Sequence, residues 1–348
     1  MLKFAQFPSE GNEALSASDP RLDALRQWTS ACLHERELTL ERASEDASFR
    51  RYFRVRADGR TWIVMDAPPE REDCRPFVKV ALLMRDAGLH VPEVLAQDLE
   101  RGFLLLSDLG TRTYLAALDE SNADALFSDA LDALIRWQVA SSAGVLPPYD
   151  DALLRRELEL FPEWYVQRHL GITLDAGQRA TLDAVFRRVI DSALAQAKVY
   201  VHRDYMPRNL MVSEPNPGVL DFQDAVYGPV TYDVVSLFRD AFMSWPEERV
   251  LDWAVRYWER ARKAGLPVDA DFGSFYRAFE WMGLQRHLKV LGIFARICHR
   301  DGKPGYVEDT PRFCTYVRQV TSRYAELAVL ERLFDALEGR APRAAYTF

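Results

Sequence analysis

The chain predicts an α+β protein in two lobes, a small antiparallel sheet crossed by a helix and then a large, mostly helical lobe. Three observations carry that expectation. Short β-rich runs are confined to the first third of the 348 residues. Apolar residues spaced by three and four dominate the remainder. One island of short β-branched runs, near Val199–His202, interrupts those helices. At roughly 150 residues per domain, the length accommodates two cores.

Taken in order, Asp19-Pro20 supplies a cap and a first-turn proline for a helix over 21–34. Strands follow at 38–40, 49–55 and 61–65, the last two joined by a tight turn at Asp58-Gly59. A helix over 77–87 ends at Gly88 and leads to strands at 94–97 and 103–106. Helical periodicity then runs over 123–140, 153–169, 178–197, 247–263, 275–297 and 316–337. The β island consists of 199–202, 210–212 and 219–220. The expected division is a lobe of residues 1–106 and a lobe of residues 107–348.

Composition removes several classes of function. With 44 Lys+Arg against 52 Asp+Glu the net charge is −8, so a general affinity for nucleic acid or anionic membrane has no electrostatic support. Hydrophobic residues at 48% and charged residues at 28% exclude a disordered chain. No apolar stretch approaches the ~20 residues of a membrane span, and the N-terminus lacks a signal pattern, so a cytoplasmic address is expected. Cys32, Cys74, Cys298 and Cys314 are too scattered for a metal cluster and are expected to be reduced and buried.

The β island holds His202-Arg203-Asp204-Tyr205-Met206-Pro207-Arg208-Asn209, and twelve residues after Asn209 comes Asp221-Phe222-Gln223. Transfer of a γ-phosphoryl group to a hydroxyl needs this set. One carboxylate orients the hydroxyl and accepts its proton, while a second carboxylate and an amide oxygen hold Mg²⁺. Asp204, Asp221 and Asn209 fit those three roles. His202 fits a structural one, bracing the loop by hydrogen bonding.

The H-x-D-x4-N run and the D-F-x that follows resemble the signature of the aminoglycoside phosphotransferase family, which includes choline and homoserine kinases. The resemblance extends from about Arg42 to about Leu330. It implies a bilobal protein-kinase-like fold, with Asp204 catalytic and Asn209 and Asp221 as metal ligands. Gly228-Pro229-Val230-Thr231-Tyr232-Asp233 is similar to the family's G-P-x-x-x-D segment, in which Asp233 opens a helix and steadies the metal-binding loop. Three further segments, 63–69, 104–110 and 283–292, are similar to the bacterial kinases of N-acetylmuramate and N-acetylglucosamine. Those enzymes place a phosphate from ATP on the anomeric C1 hydroxyl during peptidoglycan recycling.

The kinase-like resemblance also implies where ATP is handled. The phosphate-covering turn is Ala43-Ser44-Glu45-Asp46-Ala47-Ser48, which has no glycine, so Ser44 and Ser48 are the candidate donors. Met65 occupies the third-strand position where relatives carry a cation. Arg51, Arg54 and Lys79 are candidates to replace it, with a solvated face as the competing fate of each. Adenine is expected at Ser107, Asp108 and Leu109. On the acceptor side the candidates are Asp224, Tyr227, Arg286 and His287, and a carboxylate-bearing sugar would suit Arg286 or Arg296. The leading expectation is a monomeric, ATP- and Mg²⁺-dependent sugar kinase with no nucleic-acid or membrane partner. A kinase for another small alcohol, or a catalytically weak scaffold, are the alternatives.

Overall fold

Asp19 opens the first described helix in a computed structural model that describes residues 19–35, 37–44 and 49–340. Its side chain accepts from Arg21 N and Leu22 N, so α1 (Pro20–Leu33) begins at the expected cap and proline. The helix belongs to the first of two compact units. That unit reaches to Arg75 and resumes over Glu93–Asp108, and the second comprises Pro76–Pro92 and the chain from Leu109 onward.

In the first unit, β1 (Thr39–Ser44), β2 (Arg51–Ala57), β3 (Arg60–Asp66), β4 (Val94–Asp98) and β5 (Phe103–Ser107) form one antiparallel sheet in the order β1-β2-β3-β5-β4. Asp58 and Gly59, with φ 45° and 72°, make the β2–β3 hairpin turn, whose twist matches that of the strands. The register pairs Val64 with Leu105 and Val55 with Trp62. Phe53, Val55, Val64, Phe103 and Leu105 are thereby turned to the sheet face that buries Leu22 and Leu25 of α1. Arg21 and Arg51 both close on the wholly buried Asp66 carboxylate, at 2.7 and 2.8 Å, and tie the helix to β3.

The second unit begins with α2 (Arg75–Asp86), the crossing helix expected from the sequence, which apart from Arg75 groups with this unit. Next come α3 (Tyr114–Ala117), α4 (Ala123–Val139) and α5 (Asp151–Leu158), then a π-helical turn over Phe161–His169 and α6 (Ala176–Leu194). The single helix expected over 153–169 is therefore broken. Pro162 has no N–H to continue the ladder and clashes with the preceding turn. There Gly292 packs against the Leu160 backbone, so closely that an added Cβ would collide with it.

The β island gains a strand. β6 (Lys198–Val201) pairs antiparallel with β9 (Val226–Pro229), unforeseen because its Gly and Pro mask any alternation, while β7 (Leu210–Met211) pairs with β8 (Gly218–Val219). Helices α7 (Tyr232–Phe238), α8 (Glu247–Lys263), α9 (Phe272–Asp301), α10 (Thr310–Arg323) and α11 (Ala328–Leu337) complete the unit. α7 is buried on every side, so it has no amphipathic period to read. α10 and α11 replace one expected helix over 316–337. Tyr324 turns extended between them, its hydroxyl donating to Glu280 at 2.6 Å and its ring edge-on to Trp281.

All four cysteines are free, as expected, but only Cys74 is buried; the other three are partly exposed. Among the described residues, no helix is long and apolar enough to cross a membrane.

Candidate active site

β6 delivers the chain to His202, and the β7–β8 hairpin beside it returns the chain to Asp221, so two short antiparallel pairs set the spacing of the motif. Asn209 is the link between them. Its Nδ2 donates to the Asp204 backbone oxygen at 2.9 Å and to the Asp221 carboxylate at 3.3 Å, and Leu220 N returns a bond to Asn209 O at 2.9 Å. The three residues singled out in the sequence are thus neighbours. Asp221 has φ 62°, a left-handed conformation, and its other carboxylate oxygen accepts from Gln223 Nε2 at 2.8 Å. Phe222, fully buried between them in sequence, packs against the Phe77 ring of α2 at 4.8 Å, tilted by 40°, and anchors this turn.

The donors suit a hard divalent cation. Mg²⁺ takes oxygen ligands, commonly one or two carboxylates with the remainder from phosphates and water. Asp221 supplies the carboxylate. The Asn209 amide donates through its nitrogen to both neighbours, leaving Oδ1 as the atom available to a cation. Among the described residues no group of three or more His, Cys, Asp or Glu could hold a metal, and the present pair counts an amide.

His202 is wholly buried and braces both turns. Its Nε2 donates to Leu220 O at 3.0 Å, and its Nδ1 accepts from Asp204 N at 3.2 Å. That pattern requires the neutral ring with its proton on Nε2. Burial, the dominant influence, drives its pKa down to about 4. Asp233, at the start of α7, accepts from His202 N at 2.7 Å and Arg203 N at 3.0 Å. Burial pushes its carboxyl up to about 7, against the lowering effect of those two N–H groups.

Arg203 stands between these two braces with φ 77°, a conformation that costs a non-glycine residue about 1–3 kcal/mol and persists only where the surroundings enforce it. Its guanidinium meets Glu157 Oε1 of α5 at 2.5 Å. Glu157 also takes Lys289 Nζ of α9 at 2.9 Å, Gln285 Nε2 at 3.1 Å and the Tyr149 hydroxyl. Although burial opposes it, the two cations Lys289 and Arg203 hold the Glu157 carboxyl down to about 2. This cluster was not foreseen from the sequence. A signal existed, since Glu157 sits at helical spacing among Leu153, Leu154, Leu160 and Phe161, and a charged residue in such a place is rarely buried unless paired.

Among the described residues, the half-buried Asp204 carboxylate has no hydrogen-bond or ion-pair partner, although its backbone is bonded on both sides. The acceptor candidates are placed unequally. Asp224 is exposed and Tyr227 half-buried on β9. Arg286 is 2% exposed, its Nη2 reaches Met206 Sδ of the motif loop at 3.9 Å, and its Nη1 is buried without a partner. His287 has no exposed surface and lies against the Phe313 and Tyr316 rings. Arg296, ten residues or about 15 Å further along α9, has Arg300, Asp301 and Glu163 as its charged neighbours.

In the first unit, Arg51 is bound to Asp19 and Asp66, and Arg54 holds Asp108 through two bonds of 2.6 and 3.0 Å. Lys79, in the second unit, donates to Val145 O at 2.5 Å. All three cation candidates are therefore engaged. Ser107 Oγ accepts from Glu93 N at 2.8 Å, and Leu109 is buried. Ser48 lies outside the described residues, as does the side chain of Ser44, which ends β1.

The architecture and these residues define a kinase-like phosphotransferase, and comparison with known proteins agrees. Residues 39–272 match the Phosphotransferase enzyme family, and the chain belongs to that family. It is 61% identical to the N-acetylmuramate/N-acetylglucosamine kinase of Pseudomonas putida over 303 residues, 87% of this chain and 89% of that one. It is 57% identical to the kinase of the same name from Pseudomonas aeruginosa over 331 residues, 92% of this chain and 98% of that one. Solved structures with the same fold include choline kinase LicA from Streptococcus pneumoniae, with a TM-score of 0.59 and 14% identity over 87% of this chain and 100% of that one. Another is the ADP-bound aminoglycoside phosphotransferase APH(2'')-Ib, with a TM-score of 0.57 and 14% identity over 85% and 98%.

Proposed function

We propose that this enzyme uses ATP and Mg²⁺ to phosphorylate the C1 hydroxyl of N-acetylmuramate and N-acetylglucosamine, as a cytoplasmic monomer that recycles peptidoglycan sugars. The observation that carries the phosphoryl-transfer reading is the Asn209 amide, which ties the Asp204 backbone to the Asp221 carboxylate. The choice of acceptor rests on identity of 61% and 57% to kinases that bear those sugars in their names.

In this mechanism the partnerless Asp204 carboxylate accepts the proton of the C1 hydroxyl and aims its oxygen at the γ-phosphorus. Asn209 Oδ1 and Asp221 would hold Mg²⁺, which when bound neutralises charge on the phosphate oxygens. His202 and Asp233 keep the loop in place through the transfer. The nucleotide roles fall to residues 1–106 with the adjoining Ser107 and Leu109: Ser44 and Ser48 as phosphate donors, Ser107 and Leu109 at the base. Residues 107–348 supply the acceptor side, where Asp224 and Tyr227 offer polar atoms to sugar hydroxyls. Arg286, with one unpaired guanidinium nitrogen, suits the acetamido or lactyl group, and His287 supports it from within the core.

The test mixes purified protein, Mg²⁺-ATP and a panel of free N-acetylated sugars, aminoglycosides and choline, with phosphorus NMR to identify the modified hydroxyl. An anomeric phosphate on the N-acetylated sugars is expected. Asp204→Asn should lower kcat by about 10²–10⁴-fold, a barrier increase of about 3–5 kcal/mol. Preference for a polycationic acceptor would replace the sugar reading. Absence of nucleotide turnover would return the scaffold alternative.

A further inference from the structure

The Glu157 cluster has no part in the chemistry just described, yet it closes on the residue before Asp204. Three elements meet there. α5 brings Glu157, α9 brings Lys289 and Gln285, and Tyr149 leads into α5. Lys289 Nζ spans Glu157 at 2.9 Å and the Tyr232 hydroxyl of α7 at 3.0 Å, and the side chains of Glu157 and Lys289 are 6% and 8% exposed. We infer that Lys289, Glu157 and Arg203 form a positioning relay, in which Lys289 fixes Glu157, Glu157 fixes the Arg203 guanidinium, and Arg203 thereby sets the direction in which Asp204 leaves the loop.

The left-handed backbone at Arg203 makes such a relay necessary. A non-glycine residue relaxes from φ 77° unless its surroundings hold it. Asp233 holds the backbone N–H, while the side chain is held by the 2.5 Å bond to Glu157 and a longer one of 3.5 Å to Asp224 O. Relaxation of φ by one well would swing Asp204, the next residue, away from its place. The charges point the same way. A buried lysine and a half-buried arginine face one buried carboxylate, and the Asp204 charge reaches both Arg203 and Lys289. A cluster needed only to fill the core would be replaceable by apolar side chains with little loss.

The inference rests on Asp204 being the general base, so Asp204→Asn is assayed beside the relay variants. Lys289→Met and Arg203→Gly should each lower kcat by about 10²-fold, the usual penalty of a small misplacement at the reacting centre. KM for Mg²⁺-ATP should stay within about twofold, since nucleotide contacts are untouched. The double variant should lose no more than the worse single, because both act through one chain of contacts. Lys289→Arg should restore most of kcat.

Glycine adopts φ 77° without strain but is equally free to leave it, so Arg203→Gly should fold where Lys289→Met does not and still loses the anchor that the guanidinium gives Asp204. Parental kcat in Arg203→Gly would overturn the relay, as would losses that multiply in the double variant or KM rising in step with the fall in kcat. If Asp204→Asn is dead while both relay variants turn over normally, the relay alone fails. If Asp204→Asn is active, the assignment of the base fails first.

Discussion

His202 and Asp233 titrate in opposite senses across the same pH window, and their hydrogen bonds meet on one loop. The folded pKa of His202, about 4, lies below its ordinary 6.5, so the unfolded chain takes up the proton first as pH falls. Its contribution to stability is present above 6.5 and is lost as pH drops toward 4. Asp233 has a folded pKa of about 7 against an ordinary 3.8, so the native protein takes up that proton first. Its contribution is present below 3.8 and is lost as pH rises through 7. One unit of pKa difference is worth about 1.4 kcal/mol. Acidification from about pH 7.5 to about pH 5 should therefore remove about 2 kcal/mol through His202 and add about 2–3 kcal/mol through Asp233.

In the parent protein the two nearly cancel; single substitutions separate them. Asp233→Asn leaves His202, and its urea stability should fall on acidification. His202→Gln, whose amide still reaches toward Leu220 O, leaves Asp233, and its stability should rise relative to the first variant. Both should lose about 1–3 kcal/mol at neutral pH from the bonds removed. Every other titrating group is common to the two, so the difference between their pH slopes isolates the pair. Parallel curves would refute the assignment of a neutral His202 and a burial-raised Asp233.

Two further outcomes test other parts of the structure. Gln223→Leu removes the 2.8 Å bond that orients Asp221 and should raise the Mg²⁺ concentration for half-maximal turnover by about 10–100-fold; an unchanged magnesium titration would remove Asp221 from metal binding. Gly292→Ala forces a methyl against the Leu160 backbone and should cost about 1–3 kcal/mol by urea unfolding, whereas Gly305→Ala meets nothing within 4 Å and should stay within about 0.5 kcal/mol.

What the sequence disclosed follows from how local each feature is. The strands are short runs rich in β-branched, aromatic and leucine residues, and β2 and β3 share a two-residue turn, so their existence is legible. The two broken helices are not. In each the apolar spacing runs straight through; the first break is marked locally by Pro162 and sealed by Gly292 against Leu160, whereas the second comes from Glu280 beneath Tyr324, a partner distant in sequence. The same division applies to the site. Asp204, Asn209 and Asp221 lie on two adjacent short hairpins and announce themselves by spacing. Glu157 and Lys289 come from helices more than a hundred residues apart and meet only in the packed core. Residues 44–48 carry no glycine, the sequence mark of a phosphate-covering loop.

The loop at 202–204 is held one residue at a time. His202 gives its backbone N–H to Asp233 and its ring to Leu220 and Asp204. Arg203 gives its N–H to Asp233 and its guanidinium to Glu157. The Asp204 backbone oxygen takes Met206 N at 3.0 Å and Asn209 Nδ2 at 2.9 Å. The backbone N–H groups of His202, Arg203 and Asp204 and the Asp204 carbonyl are thereby each bonded to a fixed partner. Catalysis by an oriented carboxylate depends on its not having to reorganise as charge develops. If Asp204 is the base proposed above, a turn clamped by α5, α7 and α9 would provide that. Among the described residues the Asp204 carboxylate has nothing to bond, which leaves it open to the acceptor hydroxyl of the proposed reaction.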